Sequence, residues 1–193
     1  MDFPEPASSM PRRAVRTILA VDDSRTALGV VGRRLSHLGY LTVLCDSGAE
    51  AMDLIAARGF DLVLLDMVMP RMSGMQVLRA IRGGAETMDL PVIMLTGRSD
   101  PAAAVEALAA GADDHVAKPV DFDILSARIE RTLARMRRIS DLKKSNAALD
   151  ARIAERAMEL GEARAELAAS RVDRARLIAS IAALNDQVER LGA

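Results

Sequence analysis

Short apolar runs that alternate with helical stretches between Thr17 and Pro119 constrain the fold of this chain more than any other feature. Each run has the length of a β-strand, and most are rich in β-branched residues. The runs are residues 18–21, 41–44, 62–65, 92–95 and 115–117. Strands that alternate with helices and are apolar along their length form parallel sheets covered by helices on both faces. The pattern therefore predicts an α/β fold with a doubly wound, five-stranded parallel sheet.

Local signals mark the expected helix ends between these runs. Ser47 and Glu50 have the spacing of a capping box, and Asp100 before Pro101 matches an N-cap followed by a first-turn proline. Glycines stand where the helices are expected to stop, at positions 39, 59, 83 and 111. Each connection between strands is thus predicted to contain one helix.

Polar residues follow most of the apolar runs. Asp22 and Asp23 follow the first run, Asp66 the third, Thr96 the fourth and Lys118 the fifth. The carboxyl ends of parallel strands meet at one edge of a sheet, so these side chains are expected to converge. Clustered carboxylates repel unless a cation lies among them, and oxygen ligands without histidine or thiolate favour Mg²⁺. A carboxylate beside such an ion can accept a phosphoryl group, which predicts a site for phosphoryl transfer.

These residues, in this order and spacing, closely resemble the receiver domain of two-component response regulators. The resemblance rests on Asp22-Asp23, on Asp66-Met67-Val68-Met69-Pro70 with Gly74, on Thr96-Gly97, and on Gly111-Ala112 before Lys118-Pro119. It covers about residues 15–138, which are therefore predicted to form the receiver domain. It implies a flavodoxin-like sheet with the strand order 2-1-3-4-5.

The resemblance also implies a role for each matching residue in binding the metal and the phosphoryl group. Asp66 is the expected phospho-acceptor and a Mg²⁺ ligand. Asp23 is expected to bind Mg²⁺ directly and Asp22 mainly through water, with the backbone carbonyl of Val68 as a further ligand.

Two more residues and the partners follow from the same resemblance. Thr96 is expected to hydrogen-bond the phosphoryl group and to move with it, and Lys118 is expected to pair with a phosphoryl oxygen. The Lys118–Pro119 peptide bond is expected to be cis. The expected donor is a cognate histidine kinase or a phosphotransfer protein. The only catalysis expected is phosphorylation and dephosphorylation of the chain itself, so it is not predicted to be an enzyme in any other sense.

His115 occupies the position of the family's switch aromatic, which is usually Tyr or Phe. A planar imidazole can rotate inward or outward, and its charge would make such a switch sensitive to pH. The alternative is an ordinary, partly exposed strand residue.

The chain after Asp121, a predicted N-cap, contains no proline and only Gly161 and Gly192, which predicts a nearly unbroken helix. From Ile139 onward it fits a coiled-coil heptad. Position a holds Ile139, Asn146, Ile153, Leu160, Leu167, Arg174, Ile181 and Val188, and position d holds Leu142, Leu149, Arg156, Ala163, Ser170, Leu177, Leu184 and Leu191. Residues 139–193 are therefore predicted to form a coiled coil, with a change of heptad phase near Arg137 and Arg138.

A parallel homodimer is the predicted form of this coil. Parallel pairing sets Glu159 against Arg164 and Glu166 against Arg171, whereas antiparallel pairing brings acidic g positions together. Asn146 at an a position also favours two parallel strands. The alternatives are a single solvated helix and a hairpin folded on itself.

Composition excludes several classes of protein and predicts a cytoplasmic location. A net charge of -1 argues against a whole-chain nucleic-acid binder, and no helix-turn-helix pattern follows the receiver, so no DNA-binding module is predicted. No apolar run approaches the ~18 residues of a membrane span, and the single cysteine excludes an intrachain disulfide. Residues 1–14, with three prolines and no apolar segment, are expected to form a disordered leader rather than a secretory signal.

These observations predict a dimeric response regulator that is phosphorylated on Asp66 and signals through its coiled coil. Two alternatives remain at this point. The chain could be the sensory part of a longer enzyme, such as a diguanylate cyclase or a kinase, or a constitutively dimeric scaffold that ignores phosphate.

Overall fold

A computed structural model describes residues 15–97 and 101–191 of the chain, with side chains described up to residue 182. The described residues fall into two units, one that ends at Arg138 and one that begins at Ile139. The predicted leader, residues 1–14, lies outside the described residues.

Five strands and five helices alternate along the described chain. In order they are β1 (Thr17–Val21), α1 (Arg25–His37), β2 (Leu41–Cys45), α2 (Gly48–Ala57), β3 (Leu62–Asp66), α3 (Gly74–Gly83), β4 (Val92–Gly97), α4 (Pro101–Ala109), β5 (Asp114–Lys118) and α5 (Phe122–Leu191). The strands form one sheet in the order β2-β1-β3-β4-β5, and every pair of neighbours is parallel. The predicted doubly wound sheet and its order are confirmed.

The sheet is covered on both faces because successive strand side chains point to opposite sides. On one face, Ile18 of β1 belongs to a buried apolar cluster with Leu35 of α1 and Ile129 of α5. On the other face, Leu19 belongs to a second cluster with Ile81 of α3 and with side chains of α2 and α4. All five residues of β3, the central strand, are buried.

Strand β2 is less covered than its continuously apolar sequence predicts. Leu41 is 57% exposed and Leu44 is 44% exposed. The physical reason is position, because β2 is an edge strand that pairs only with β1.

The predicted capping box at Ser47 and Glu50 is wrong. Ser47 is the N-cap residue of α2, but its side chain makes no capping hydrogen bond. The Glu50 carboxylate instead lies 3.5 Å from the Cys45 thiol, whose nearer acceptor is the Ser47 carbonyl at 3.1 Å. A complete capping box begins α3, where Ser73 and Gln76 bond to each other's backbone N–H groups.

The start of α4 matches its prediction as far as the structure describes it. Pro101 is the first residue of α4, and the predicted N-cap Asp100 lies outside the described residues.

Helix α5 begins as predicted, because the Asp121 carboxylate accepts bonds from the backbone N–H groups of Asp123 and Ile124. Within the first unit, α5 buries Leu125, Ile129 and Leu133 against the sheet. In the second unit, its large apolar side chains between Leu142 and Ile181 are exposed. None of the described helices carries an apolar stretch long enough to span a lipid bilayer.

Candidate functional site

The carboxyl ends of β1 and β3 bring three aspartates to the same edge of the sheet. Val21, the last residue of β1, pairs in register with Leu65 of β3. Asp22 and Asp23 therefore leave β1 at the level where Asp66 ends β3. One carboxylate oxygen from each aspartate lies within 4.8 Å of the others.

These three carboxylates differ in burial. Asp22 and Asp66 are only 4% and 6% exposed, whereas Asp23 is exposed to solvent. The Asp22 carboxylate accepts a hydrogen bond from the backbone N–H of Ser24 at 2.9 Å. The backbone N–H of Asp22 donates to the Cys45 carbonyl at 3.2 Å. The cluster thus has a fixed interior and one side open to solvent.

Lys118, the last residue of β5, brings a positive charge into the cluster. Its ammonium group lies 2.7 Å from Asp22 Oδ2 and 2.8 Å from Asp66 Oδ1. The predicted cis bond between Lys118 and Pro119 is present. Asp22, Asp23, Asp66 and Lys118 are therefore brought together as the sequence predicted.

The electrostatics of the cluster shift two of its titratable groups. Burial has the largest effect on the pKa of Asp66 and raises it. The hydrogen bond from Lys118 and the charge of Lys118 lower this pKa, and the negative charges of Asp22 and Asp23 raise it. The pKa of Asp66 consequently lies above its ordinary value. Burial lowers the pKa of Lys118, but its bonds to Asp22 and Asp66 and their charges raise it further, so the resulting shift is upward. Lys118 therefore remains an ammonium at neutral pH.

The donor set suits a hard divalent cation. Three carboxylates face one ammonium, so the cluster keeps an excess of negative charge, and all its metal-ligating atoms are oxygens. The exposed carboxylate of Asp23 leaves an approach from solvent. The residues present thus fit the binding of Mg²⁺.

The remaining predicted residues lie on neighbouring strands. Thr96 is 2% exposed on β4 and follows Leu95, the residue that pairs with Asp66. His115 pairs with Met94 in the sheet, and its Nδ1 atom is buried with no hydrogen-bond partner among the described residues. Val68 lies two residues beyond β3, with its side chain exposed. No hydrogen bond or ion pair joins these three residues to the aspartates in the described structure.

The loop between β3 and α3 depends on a close backbone approach that sequence reasoning did not explain. A Cβ atom on Gly74 would lie 2.0 Å from the Asp66 carbonyl oxygen. The Gly74 N–H also donates to the Met67 carbonyl at 3.0 Å, which closes the loop beside Asp66. The sequence showed a glycine here, but only the folded chain shows which atom it accommodates.

Ser24 is a second residue whose role sequence reasoning missed. It caps α1 through its side chain, which accepts from Ala27 N–H, while its own N–H holds Asp22. The available signal was an N-cap residue type directly after the acidic pair.

Cys45, whose carbonyl supports Asp22, has a buried thiol. Burial, the main cause, raises the pKa of Cys45 to about 11, so the thiol is protonated at neutral pH.

Comparison with known proteins gives one consistent family. The family model described as the response regulator receiver domain matches residues 18–130. The response regulator MprA of Mycobacterium tuberculosis is 42% identical over 118 residues, which cover 61% of this chain and 50% of that protein. MprA of Mycobacterium leprae is 41% identical over 118 residues, covering 61% of this chain and 51% of that protein. The chain thus spans about half the length of the curated relatives it matches.

Solved structures agree with this result over the first unit. A response regulator receiver domain protein from Clostridium thermocellum is 31% identical with a TM-score of 0.61, covering 65% of this chain and 99% of that chain. The receiver domain of NtrX from Brucella abortus is 33% identical with a TM-score of 0.57, covering 61% of this chain and 98% of that chain. The parallel sheet with its acidic edge and the match over residues 18–130 together show that the chain belongs to the response regulator receiver domain family.

Proposed function

We propose that this chain accepts a phosphoryl group on Asp66 from a histidine kinase or a histidine phosphotransfer protein in the cytoplasm. The observation that carries the proposal is the Lys118 ammonium, which bridges Asp22 and Asp66 within a cluster of three carboxylates. Such a site stabilises a phosphoryl group by position and charge neutralisation rather than by elaborate covalent chemistry.

The chemistry at Asp66 is a displacement at phosphorus. An unprotonated carboxylate oxygen of Asp66 attacks the phosphorus, an O–P bond forms, and the P–N bond to the donor's histidine breaks. Lys118, which donates to Asp66 before the reaction, can then donate to a phosphoryl oxygen. The Thr96 hydroxyl, on the adjacent strand, is assigned a further hydrogen bond to the phosphoryl group.

Asp22, Asp23, Asp66 and the Val68 carbonyl are the proposed Mg²⁺ ligands. When bound, Mg²⁺ neutralises the negative charge that accumulates on the phosphoryl oxygens. Asp22 is kept in place by the Ser24 N–H, which donates to its carboxylate, and by the Cys45 carbonyl, which accepts from its backbone N–H. His115 is the proposed switch residue that changes position when Thr96 does.

Phosphorylation by a small phosphodonor tests the acceptor. Wild-type protein incubated with phosphoramidate and Mg²⁺ should gain one phosphate by intact mass spectrometry, and chelation with EDTA should prevent the gain. Asp66→Asn should gain none, whereas Asp53→Asn, an exposed carboxylate on α2, should react like the wild type. A phosphate on Asp66→Asn at the wild-type rate would show that the acceptor lies elsewhere.

Thermal unfolding tests the metal ligands independently of phosphorylation. A ligand at a hundred times its Kd stabilises the folded state by about 2.7 kcal/mol, so Mg²⁺ should raise the Tm of the wild type. Asp23→Ala should lose most of this rise. An equal rise in both proteins would place Mg²⁺ elsewhere.

For the output, we propose a parallel homodimer formed by the second unit. Its seam side chains are exposed in the single chain; Leu142, Ile153, Leu160, Leu167, Leu177 and Ile181 are between 51% and 67% exposed. Apolar stripes of this length are stable in water when a second helix covers them. Phosphorylation at Asp66 then alters how the two helices pair or what they bind.

Solution mass and label separation test this output. The wild-type chain should have the mass of a dimer, and spin labels at Ser180 of the two copies should lie within a few nanometres, as parallel helices require. A monomer or widely separated labels would contradict the proposal. A dimer whose label distances and helicity are unchanged by phosphorylation would favour the constitutive scaffold.

A further inference from the structure

Two successive seam positions in the second unit interrupt its apolar seam with polar side chains, and a third polar side chain lies beside them. Ser170 occupies a d position, Asp173 the following g position and Arg174 the following a position. Their neighbours along the seam, Leu167 and Leu177, are aliphatic. A cationic side chain among aliphatic groups is costly unless an opposite charge accompanies it.

The described residues of the single chain provide no such charge for Arg174. In the part of the chain that the structure describes, Arg174 makes no hydrogen bond or ion pair. The other seam arginine differs, because Arg156 pairs within its own helix with Glu159 at 2.6 Å. Asp173 precedes Arg174 directly, and consecutive helical residues project about 100° apart and do not face each other.

A second copy supplies the missing charge when the helices are parallel and in register. A side chain at position a then enters a hole formed by four residues of the facing helix, which are the preceding d and g, the same a, and the next d. For Arg174 these residues are Ser170, Asp173, Arg174 and Leu177 of the second copy. Ser170 is small enough to leave room for the guanidinium stem, and Asp173 provides a carboxylate at the edge of the hole.

We propose that Arg174 of each copy pairs with Asp173 of the other, so that two ion pairs fix the register and direction of the homodimer. This inference rests on the proposed homodimer and adds the contact that specifies it. Polar groups at a positions select register and oligomeric state at some cost in stability. The polar centre of the seam is therefore a specificity element as well as a point of weakness.

Other alignments lose this pairing. A shift of one heptad places Ser180 of one copy opposite Arg174 of the other, so one guanidinium has no carboxylate. Antiparallel helices set g positions against g positions, which separates Asp173 from Arg174. The two ion pairs form together only in the parallel, unshifted dimer.

Charge reversal in two separate variants tests this pairing. Asp173→Arg alone sets arginine against arginine in its homodimer, and Arg174→Asp alone sets aspartate against aspartate. Mixed together, the two variants restore both ion pairs in the heterodimer. We expect each variant to dimerise more weakly than the wild type. In an equal mixture of the two, we expect the ratio of heterodimer to total homodimer to lie on the order of tenfold above the 1:1 ratio of random assortment.

Native mass spectrometry of the full chains, one of them carrying a mass tag, measures the assortment. The matched controls are Glu162→Arg and Arg176→Asp, which reverse charges at outer c positions and should assort randomly. A wild-type monomer would overturn both the homodimer and the ion pairs. A wild-type dimer whose Asp173→Arg and Arg174→Asp variants assort randomly would overturn the ion pairs alone.

Discussion

Replacing Gly74 with alanine should destabilise the first unit and slow phosphorylation of Asp66 together. The added Cβ would lie 2.0 Å from the Asp66 carbonyl oxygen, 2.9 Å from its carbonyl carbon and 3.0 Å from the Met67 Cα. All three neighbours are backbone atoms, so no side-chain rotation can relieve the overlap. The Asp66 carbonyl oxygen must retreat by about 1.4 Å to restore an ordinary contact.

The size of both effects follows from this displacement. Overpacking of a tightly packed site costs about 1–3 kcal/mol, and a loss of about 2 kcal/mol lowers the Tm of a domain of this size by roughly 8 °C. The same displacement moves the backbone that carries the acceptor. Misplacement of a reacting group by about 1 Å can cost about a hundredfold in rate.

Gly29→Ala is the matched control for the loss of a glycine. Gly29 lies within α1, and its added Cβ would meet nothing closer than Arg33 Nη1 at 3.7 Å. Alanine is favoured over glycine inside a helix by about 1 kcal/mol, so this variant should have a higher Tm and a normal rate. Thermal unfolding and the initial rate of phosphate gain by intact mass measure both variants. Wild-type stability and rate in Gly74→Ala would refute the reasoning.

Three further predictions concern acidity, packing and the coiled coil. Burial holds the pKa of Asp66 above its ordinary value, so the folded state binds the carboxyl proton of Asp66 more tightly than the unfolded state does. The stability that Asp66 contributes therefore rises as pH falls through the carboxylate range. Asp66→Asn should therefore raise the Tm at neutral pH and reduce the gain on acidification, and thermal scans across pH that match the wild type would contradict this. Arg82 donates to the Met88, Leu90 and Gly111 carbonyls and pairs with Asp113. Arg82→Met should therefore lower the free energy of unfolding, measured in urea, by about 3 kcal/mol, and a loss near zero would show that these bonds are dispensable. Arg174→Leu should raise the melting temperature of the second unit followed by circular dichroism while weakening its preference for one register, and a lower melting temperature would count against a seam position for Arg174.

The sequence predicted the sheet and its acidic edge because both depend on local patterns. Apolar runs of strand length fixed the strands, and the residue types after them placed Asp22, Asp66 and Lys118 at one edge. The strand order came from a family resemblance, since alternation alone is compatible with several orders. The edge position of β2, and with it the exposure of Leu41, depends on that order.

Other features depend on contacts between residues distant in the chain. The Ser47 and Glu50 pattern satisfied a local rule, but the Ser47 side chain makes no capping bond and the Glu50 carboxylate lies against the Cys45 thiol. The place of Gly74 beside the Asp66 carbonyl arises only when β3 and α3 pack together. The pairing of the second unit stays a prediction, because it requires another chain.

Chemical mapping of the phosphorylated residue tests the central claim most directly. Borohydride reduces an aspartyl phosphate to homoserine, which marks the acceptor permanently and can be located by peptide mass spectrometry. Protein treated with phosphoramidate and Mg²⁺ and then reduced should contain homoserine at position 66, and the same protein treated with EDTA should contain none. Homoserine at another aspartate, or none at position 66 after the intact mass has shown one phosphate, would contradict the assignment of Asp66 as the phospho-acceptor.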